Sequence, residues 1–385
     1  MNKYFKIFWI IYLIEFIAPI LLFFFYLTGI DIIFLFKIPQ ILYLLLIFVF
    51  HINKPIKKNP YLLIFFYFGL FELIYGLLMN RNLDGKFFSH IYYNIIPILG
   101  TSFGIYFAEN YTYNLKSFFY NIINVSFWMT IVILLIYFYL HFVTGQIPYW
   151  GFGTEMHMLI PFLLVQKKYI LVLLGFIFVI FSGKRATTLN VVLIGIMYFW
   201  NQIFTYNWKK SIFWVFLLII FSYLLKTAFD QGYLSRFEDS LNFDINDDYL
   251  MTVATSGRWQ EITGIIDFLN ENSIRWFVGA GFGGTYLWEV KLSDVYEWKH
   301  YAHFSPFSYL FIYGLPITIL LYYNLISLVV KGFKYIDNQF FITFIVLVFG
   351  SFFGANLLID FKIWFFIGIA YHLCFSKFKN PLILN

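Results

Sequence analysis

Charge is scarce in this sequence, and that scarcity excludes the ordinary classes of soluble protein. Charged residues make up 12% of the 385 residues, whereas apolar residues make up 61%. A soluble domain usually carries about 25% charged residues. The formal net charge of +6 does not indicate nucleic-acid binding, because the lysines are spread over the connections between apolar runs.

Cysteine is nearly absent as well. Cys374 is the single cysteine, so the chain cannot form a disulfide within itself, and the redox compartment cannot be read from thiols.

Long apolar runs recur along the chain, and each run of about 20 residues can cross a hydrocarbon core of about 30 Å. We therefore predict an all-α polytopic membrane protein in which residues 1–385 form a single integral membrane domain. The sequence indicates about twelve spans, of which the sixth and seventh are short. The alternative is that these two are one helix with a break at Lys167-Lys168. The predicted spans lie near 5–28, 32–51, 60–79, 88–108, 117–143, 154–166, 169–183, 186–204, 211–229, 304–330, 339–359 and 361–376.

The lysines predict the orientation of these spans, because connections on the cytoplasmic side are enriched in Lys and Arg. With twelve spans, alternate connections carry most of the lysines and fall on one side, so both termini are predicted to be cytoplasmic. These lysines are Lys3, Lys6, Lys54, Lys57, Lys58, Lys116, Lys167, Lys168, Lys209, Lys210, Lys331, Lys334, Lys377 and Lys379. The long connection over 230–303 then lies outside the cytoplasm.

This long loop has two parts. Residues 230–254 are acidic and rich in turn formers, which is typical of a solvated surface loop or of contacts with sugar hydroxyls. Residues 258–271 repeat at helical spacing and predict a short amphipathic helix at the outer interface. Its expected apolar face is Trp259, Ile262, Ile266 and Leu269, and its expected polar face is Gln260, Glu261, Asp267, Asn270 and Glu271.

A candidate anion site opens that helix. Its residues are Ser256-Gly257-Arg258, with Ser256 as the expected N-cap. Free N–H groups at a helix start bind anions, and a bound anion would offset the unfavourable position of Arg258 near the positive end of the helix dipole. The alternative is an arginine that reaches toward lipid phosphates.

A second arginine lies in a very short outer turn. The turn reads Ser182-Gly183-Lys184-Arg185. A charge held close to hydrocarbon costs about 2.5–3.5 kcal/mol on insertion scales, so a fixed negative partner is expected. That partner could be a protein carboxylate or a substrate phosphate, and the alternative is a capping arginine at the interface.

His303 starts an apolar span at the outer face, where an imidazole can accept a proton near neutral pH. The alternative is a structural role for His303. His300, three residues earlier in the chain, is then the competing candidate for the functional histidine. Because His157, His300 and His303 do not have the spacing of metal ligands, we predict no metal site.

A glycine-rich run follows the surface helix. It reads Gly279-Ala280-Gly281-Phe282-Gly283-Gly284 and matches G-x-G-x-x-G, but no βαβ unit surrounds it, so a dinucleotide site is not predicted. We expect a turn whose backbone closely approaches either a phosphate or a neighbouring helix.

Ionisable residues also fall inside or beside the apolar runs, where charges normally pair with one another. We expect structural pairs among them. They are Glu15, Lys37, Glu72, His90, Asp360 and Lys362.

Taken in order, these motifs resemble the superfamily of O-antigen polymerases (Wzy) and O-antigen ligases (WaaL) over residues 155–330. The resemblance is carried by the turn ending in Arg185, by Ser256-Gly257-Arg258-Trp259, by Gly279-Ala280-Gly281-Phe282-Gly283, and by His303 with Tyr309-Leu310 and Gly314-Leu315. One departure is Phe304, which stands where the family commonly has Asn.

The resemblance implies an inverting, metal-independent glycosyltransferase. The donor would be a glycan on undecaprenyl diphosphate, and the acceptor would be a hydroxyl of another lipid-linked repeat unit, as in a polysaccharide polymerase. His303, Arg258 and Arg185 are the implied catalytic residues. The implied substrate-binding residues are Ser256, Gly257, Trp259, Gly279, Gly281, Lys184 and His300.

No cofactor and no nucleic acid are expected. The expected partners are the lipid bilayer, the undecaprenyl-diphosphate-linked oligosaccharide and a chain-length regulator protein. The expected location is the bacterial inner membrane, with the active site on its outer side.

Two other functions stay open from the sequence. An O-antigen ligase would perform the same chemistry with lipid A-core as the acceptor. A lipid-linked oligosaccharide flippase or transporter would show repeated halves and polar residues at mid-span, and neither pattern is found in this sequence.

Overall fold

The structure is a computed structural model. It describes residues 2–28, 37–79, 83–144, 156–181, 185–204, 247–255, 257–290, 295–352 and 360–375, together with single helical residues between 212 and 227. The predicted span at 211–229 and the first part of the long loop, up to residue 246, lie largely outside these described residues.

The described chain is mostly helical, and the helices begin and end close to the predicted spans. The first eight are α1 (Asn2–Thr28), α2 (Lys37–Asn53), α3 (Pro60–Met79, with a π-helical turn at Ile64–Phe68), α4 (Gly85–Glu109), α5 (Tyr113–Thr144), α6 (Met156–Val165), α7 (Tyr169–Phe181) and α8 (Arg185–Phe204). The predicted break at Lys167-Lys168 is confirmed, because α6 and α7 are separate helices and Lys167 has a φ of 58°.

The long loop contains the helices α9 (Asp248–Thr255), α10 (Arg258–Asn270) and α11 (Arg275–Val278), followed by the strands β1 (Tyr286–Val290) and β2 (Val295–Lys299). Three helices complete the described chain: α12 (Ser305–Gly332), α13 (Gln339–Ser351) and α14 (Phe361–Phe375).

Three described helices are long and apolar enough to cross a membrane: Pro60–Met79, Gly85–Glu109 and Ser305–Tyr335, which extends α12 by a short 3-10 turn. Five shorter apolar helices accompany them. They are Ile38–Asn53, Tyr169–Val179, Thr187–Tyr198, Gln339–Ser351 and Phe361–Phe375. The protein is therefore a helical protein with membrane-spanning character.

The purely helical expectation for the loop is corrected by a small antiparallel hairpin, in which Tyr286 pairs with Lys299 and Val290 with Val295. Both segments are rich in aromatic and β-branched side chains, which favours strands. The helical spacing that predicts a helix over 258–271 ends before this segment.

Helices α4 and α14 pack most closely in the core. A Cβ on Gly104 would lie 2.1 Å from the carbonyl oxygen of Phe365, and a Cβ on Gly368 would lie 2.1 Å from that of Thr101. Small residues at such positions let two apolar helices approach each other closely. The ring of Phe8 on α1 lies 4.5 Å from that of Phe365, which joins α1 to the same core.

One expected ion pair lies beside this core. Lys362 Nζ on α14 is 2.9 Å from Glu15 Oε2 on α1, and the Tyr43 hydroxyl donates to the same oxygen at 3.3 Å. The Lys362 side chain is 6% exposed and the Glu15 side chain 19% exposed. The expectation of a structural pair is therefore confirmed for Glu15 and Lys362.

The expectation is wrong for two other residues. Glu72 is fully buried, and neither of its carboxyl oxygens has a hydrogen-bond partner among the described residues. His90 is fully buried and bonds to backbone groups of the loop, because two segments far away in sequence converge on its ring.

We expect Lys362→Met to lower the stability of the folded protein by about 3–5 kcal/mol, because it leaves Glu15 without its cationic partner in a low-dielectric interior. The double variant Glu15→Gln/Lys362→Met should regain most of that loss. Thermal unfolding of detergent-solubilised protein, followed by tryptophan fluorescence, measures both.

The matched control is Lys334→Met, which removes an exposed lysine and should change stability by less than about 0.5 kcal/mol. A double variant no more stable than Lys362→Met alone would contradict the ion-pair interpretation.

Candidate functional site

Glu261, on the first turn of α10, is the centre of the candidate site. Its side chain is 3% exposed and accepts hydrogen bonds from two neighbouring segments. Oε1 lies 2.8 Å from His303 Nδ1 and 3.0 Å from Lys299 Nζ, and Oε2 accepts from the backbone N–H of His303 at 2.8 Å. The carboxylate thus joins α10 to the end of β2 and to the start of α12.

This environment keeps Glu261 ionised. Burial alone would raise the pKa of its carboxyl group, but the hydrogen bonds from His303 and Lys299 outweigh burial and hold the pKa below its ordinary value. Three donors bond to the two oxygens of this buried carboxylate, which offsets the cost of removing it from water.

The carboxylate determines which nitrogen of His303 carries a proton. An ionised carboxylate can only accept hydrogen bonds, so Nδ1 must be the donor in the 2.8 Å contact. Nε2 is then the basic nitrogen of the neutral ring. The His303 side chain is 49% exposed, so this ring is accessible to a substrate while its other edge is held in place.

Arg258 begins α10, one helical turn before Glu261. Burial lowers the pKa of its guanidinium group, and the negative charge of Glu261 opposes that change. Residues three apart lie on the same face of a helix, so Arg258, Glu261 and, through Glu261, His303 are grouped at one end of α10. Two of the three predicted catalytic residues therefore belong to one cluster.

The start of α10 differs from the prediction in its cap. Gly257, with a φ of 76°, occupies the N-cap position that was expected for Ser256, and the Thr255 hydroxyl accepts from the N–H of Trp259 at 3.1 Å. A left-handed N-cap suits glycine because it has no Cβ. Ser256 itself lies outside the described residues.

Trp288 attaches the hairpin to this helix start. Its indole Nε1 donates to the Gly257 carbonyl at 3.1 Å, and its ring lies 3.7 Å from Lys299 Nζ. A lysine over an indole face is a favourable cation–π contact. Lys299 is therefore held between Trp288 and Glu261, which stabilises the position of the carboxylate.

The glycine-rich turn packs against a neighbouring helix, which is one of its two predicted roles. Gly314 interrupts α12 with a φ of 76°, and the carbonyls of Phe311 and Ile312 accept from the N–H groups of Ala280 at 2.6 Å and Gly281 at 3.2 Å. A Cβ on Gly279 would lie 2.4 Å from the Ile312 carbonyl oxygen. These amides already have acceptors, and the substrate-binding role of Gly279 and Gly281 stays a prediction.

His90 connects the turn to His300. Its Nδ1 accepts from the N–H of Gly283 at 3.0 Å, so its Nε2 donates to the carbonyl of His300 at 2.8 Å. The His300 ring stacks on Tyr93, with an interplanar angle of 5°. Burial, together with the charge of Lys86, lowers the pKa of His300, which favours its neutral form.

Not every predicted site residue can be placed. Lys184 lies outside the described residues, and for Arg185 only the backbone, which begins α8, is described. Trp259 lines a groove on another face of α10. The convergence of Arg185 with the cluster around Glu261 thus stays a prediction.

Glu261 was expected on the polar face of α10, and this expectation is wrong. The buried positions of the helix are Glu261, Ile265 and Leu269, because that face packs on the loop and on α12. The three-residue spacing of Arg258 and Glu261, which puts both side chains on one face of a helix, was the signal available in the sequence. Nothing near Lys299 or His90 in the sequence indicated their roles.

Among the described residues, no group of three His, Cys, Asp or Glu side chains could hold a metal ion.

In comparisons with protein-family models, with curated proteins and with solved structures, none matches this chain.

The Glu261 cluster predicts a pH-dependent stability of the loop. Because the folded pKa of Glu261 is lowered, its contribution is complete above the unfolded pKa of about 4.3 and is lost as the pH falls through the folded value. Amide exchange over residues 295–303, corrected for intrinsic rates, should therefore stay protected above about pH 4.3 and lose protection as the pH falls below that value.

In Glu261→Gln, the same segment should exchange faster at the higher pH, and its protection should depend less on pH. Asp267→Asn removes an exposed carboxylate from another face of α10 and is the matched control. Equal effects of the two substitutions would contradict the central position of Glu261.

Proposed function

We propose that this protein is a polysaccharide polymerase, a membrane glycosyltransferase that extends lipid-linked glycans of the O-antigen or capsule type. Its donor is a glycan on undecaprenyl diphosphate, and its acceptor is a hydroxyl group of another lipid-linked repeat unit. The observation that carries the proposal is the 2.8 Å contact between His303 Nδ1 and the buried Glu261 carboxylate.

This contact supports a general-base role for His303. A carboxylate on Nδ1 orients the ring, leaves Nε2 to accept the proton of the acceptor hydroxyl, and stabilises the imidazolium that forms. The hydroxyl oxygen then bonds to the anomeric carbon with inversion, and the bond from that carbon to the diphosphate oxygen breaks. The proton passes from His303 to solvent after the transfer.

The diphosphate leaving group accumulates negative charge as its bond breaks. Arg258, which lies beside Glu261, is proposed to neutralise it together with Arg185. Lys184, Ser256 and Gly257 are proposed to take part in binding it. Charge-assisted hydrogen bonds of this kind contribute about 1.5–3 kcal/mol each. This chemistry needs no cofactor and no metal from the protein.

The topology in the proposal has twelve spans with both termini in the cytoplasm, in the bacterial inner membrane. It is supported by the three apolar helices of the described chain and by the lysines of alternate connections. The loop that carries Glu261 and His303 is then extracytoplasmic, where a donor in the outer leaflet can reach it.

We expect His303→Ala and Arg258→Ala each to reduce glycan transfer by about 10²–10⁴-fold, because one removes the base and the other a charge that stabilises the leaving group. The assay is polymerisation of a defined lipid-diphosphate repeat unit by purified protein, with EDTA present. His372→Ala, on α14, is the control histidine and should keep its activity.

Normal polymer length in both variants would overturn the assignment. Lipid A-core added as a competing acceptor identifies a ligase: transfer to it, without chain extension, would replace the polymerase by that alternative.

Arg185→Lys should also lose most of its activity if Arg185 binds phosphate through two parallel hydrogen bonds, because a lysine ammonium cannot reproduce the planar fork of a guanidinium. The same assay measures it, with donor concentration varied to separate binding from turnover. Wild-type activity in Arg185→Lys would exclude a bidentate contact.

A further inference from the structure

A groove of about 490 Å³ lies between α10 and the hairpin, on another face of α10 from Arg258 and Glu261. Its volume falls in the range of about 300–1,000 Å³ that is typical of small-molecule sites. It is lined by Thr252, Trp259, Gln260, Thr263, Gly264, Asp267, Phe268, Glu271, Tyr286, Leu287, Glu289 and Trp298.

The lining combines flat aromatic surfaces with hydrogen-bonding groups. Trp259 and Trp298 offer indole rings, and the Trp298 side chain is 59% exposed. The Gln260 amide nitrogen donates to the Thr252 hydroxyl, whereas Gln260 Oε1 is buried without a hydrogen-bond partner among the described residues. A buried acceptor of this kind favours a ligand that brings a donor.

The charge of the groove is of one sign. Asp267, Glu271 and Glu289 contribute carboxylates, and none of its described lining residues is a lysine or an arginine. Arg275 forms an ion pair with Glu271 from outside the lining. The groove therefore repels anions and accepts neutral or positively charged ligands that donate hydrogen bonds.

Together, these properties point to one class of ligand. A sugar ring has apolar C–H faces that stack on aromatic rings and a rim of hydroxyl donors that suits carboxylates and amide oxygens. We propose that this groove is a glycan subsite that binds neutral or amino sugars and excludes acidic sugars. The inference rests on the proposed function, in which the groove would hold a part of the glycan that is distant from the reacting bond.

The groove and the candidate catalytic histidine share a rigid connection. Tyr286 lines the groove, and its hydroxyl donates to the carbonyl of Tyr301 at 2.9 Å. Tyr301 precedes His303 by two residues. A glycan held in the groove is thus fixed relative to the segment that carries His303.

The test is direct binding, measured by calorimetry on the purified full-length protein in a detergent without a sugar headgroup. The probes are tetramers of N-acetylglucosamine, of glucosamine and of galacturonate. We expect the first two to bind and the acidic tetramer to bind at least about tenfold more weakly. Equal or tighter binding of the acidic tetramer would overturn the proposal.

Trp298→Ala should weaken binding of the neutral tetramer by about tenfold, because an exposed stacking surface is removed without disturbing the core. Tyr296→Ala is the matched control: Tyr296 lies on the same strand, is 60% exposed and does not line the groove. Unchanged binding in Trp298→Ala, or an equal loss in both variants, would overturn the subsite.

Charge substitutions test the selectivity separately. Asp267→Asn/Glu289→Gln should bind the acidic tetramer more tightly, whereas Glu297→Gln, an exposed carboxylate on the other face of the hairpin, should not. No gain in the double variant would overturn the exclusion of acidic sugars.

Failure of this inference can be told from failure of the proposed function. Binding needs no turnover, so His303→Ala should bind the neutral tetramer as the wild type does. A protein that binds the tetramer through Trp298 but transfers no glycan would refute the polymerase and support the subsite.

Discussion

The structure around the loop depends on one buried carboxylate. Glu261 is almost inaccessible to solvent and would be costly to bury alone, so its position requires Lys299 and both donors of His303 to be in place. This requirement brings together the start of α10, the end of the hairpin and the start of α12. The hairpin register contributes directly, because pairing of Tyr286 with Lys299 sets where β2 ends.

The loop is in turn attached to all three described helices that can span a membrane. Phe282 donates through its N–H to the Glu72 carbonyl on α3 at 3.3 Å, His90 on α4 bonds to Gly283 and His300, and the kink of α12 accepts from Ala280 and Gly281. Each attachment uses backbone groups on at least one side. The position of the site relative to these apolar helices is therefore set largely by main-chain hydrogen bonds.

The long apolar helices were the elements that could be predicted best from the sequence. Pro60–Met79 and Gly85–Glu109 were expected at 60–79 and 88–108, because a continuous apolar run in a short stretch of chain is enough to define such a helix. The hairpin was missed because each strand is only five residues long and does not alternate regularly between apolar and polar residues.

The site was harder to predict, because its contacts join distant residues. Glu261 shares the buried face of α10 with Ile265 and Leu269, whereas its polar character had placed it on the opposite face from Leu269. Its partner Lys299 lies 38 residues away in the chain, and no local pattern announces such a pair. His303 and Arg258 could be identified as candidates because an imidazole base and a guanidinium beside apolar runs are costly to place, which indicates a functional role.

The interruption of α12 at Gly314 has a mechanical consequence. The carbonyl groups of Phe311 and Ile312 accept from the N–H groups of Ala280 and Gly281, so the first segment of α12 cannot rotate or slide without carrying the glycine turn with it. The segment that starts at His303 and the glycine turn are thus held together by main-chain hydrogen bonds. A sideways force on the segment that starts at His303 is therefore shared with the glycine turn.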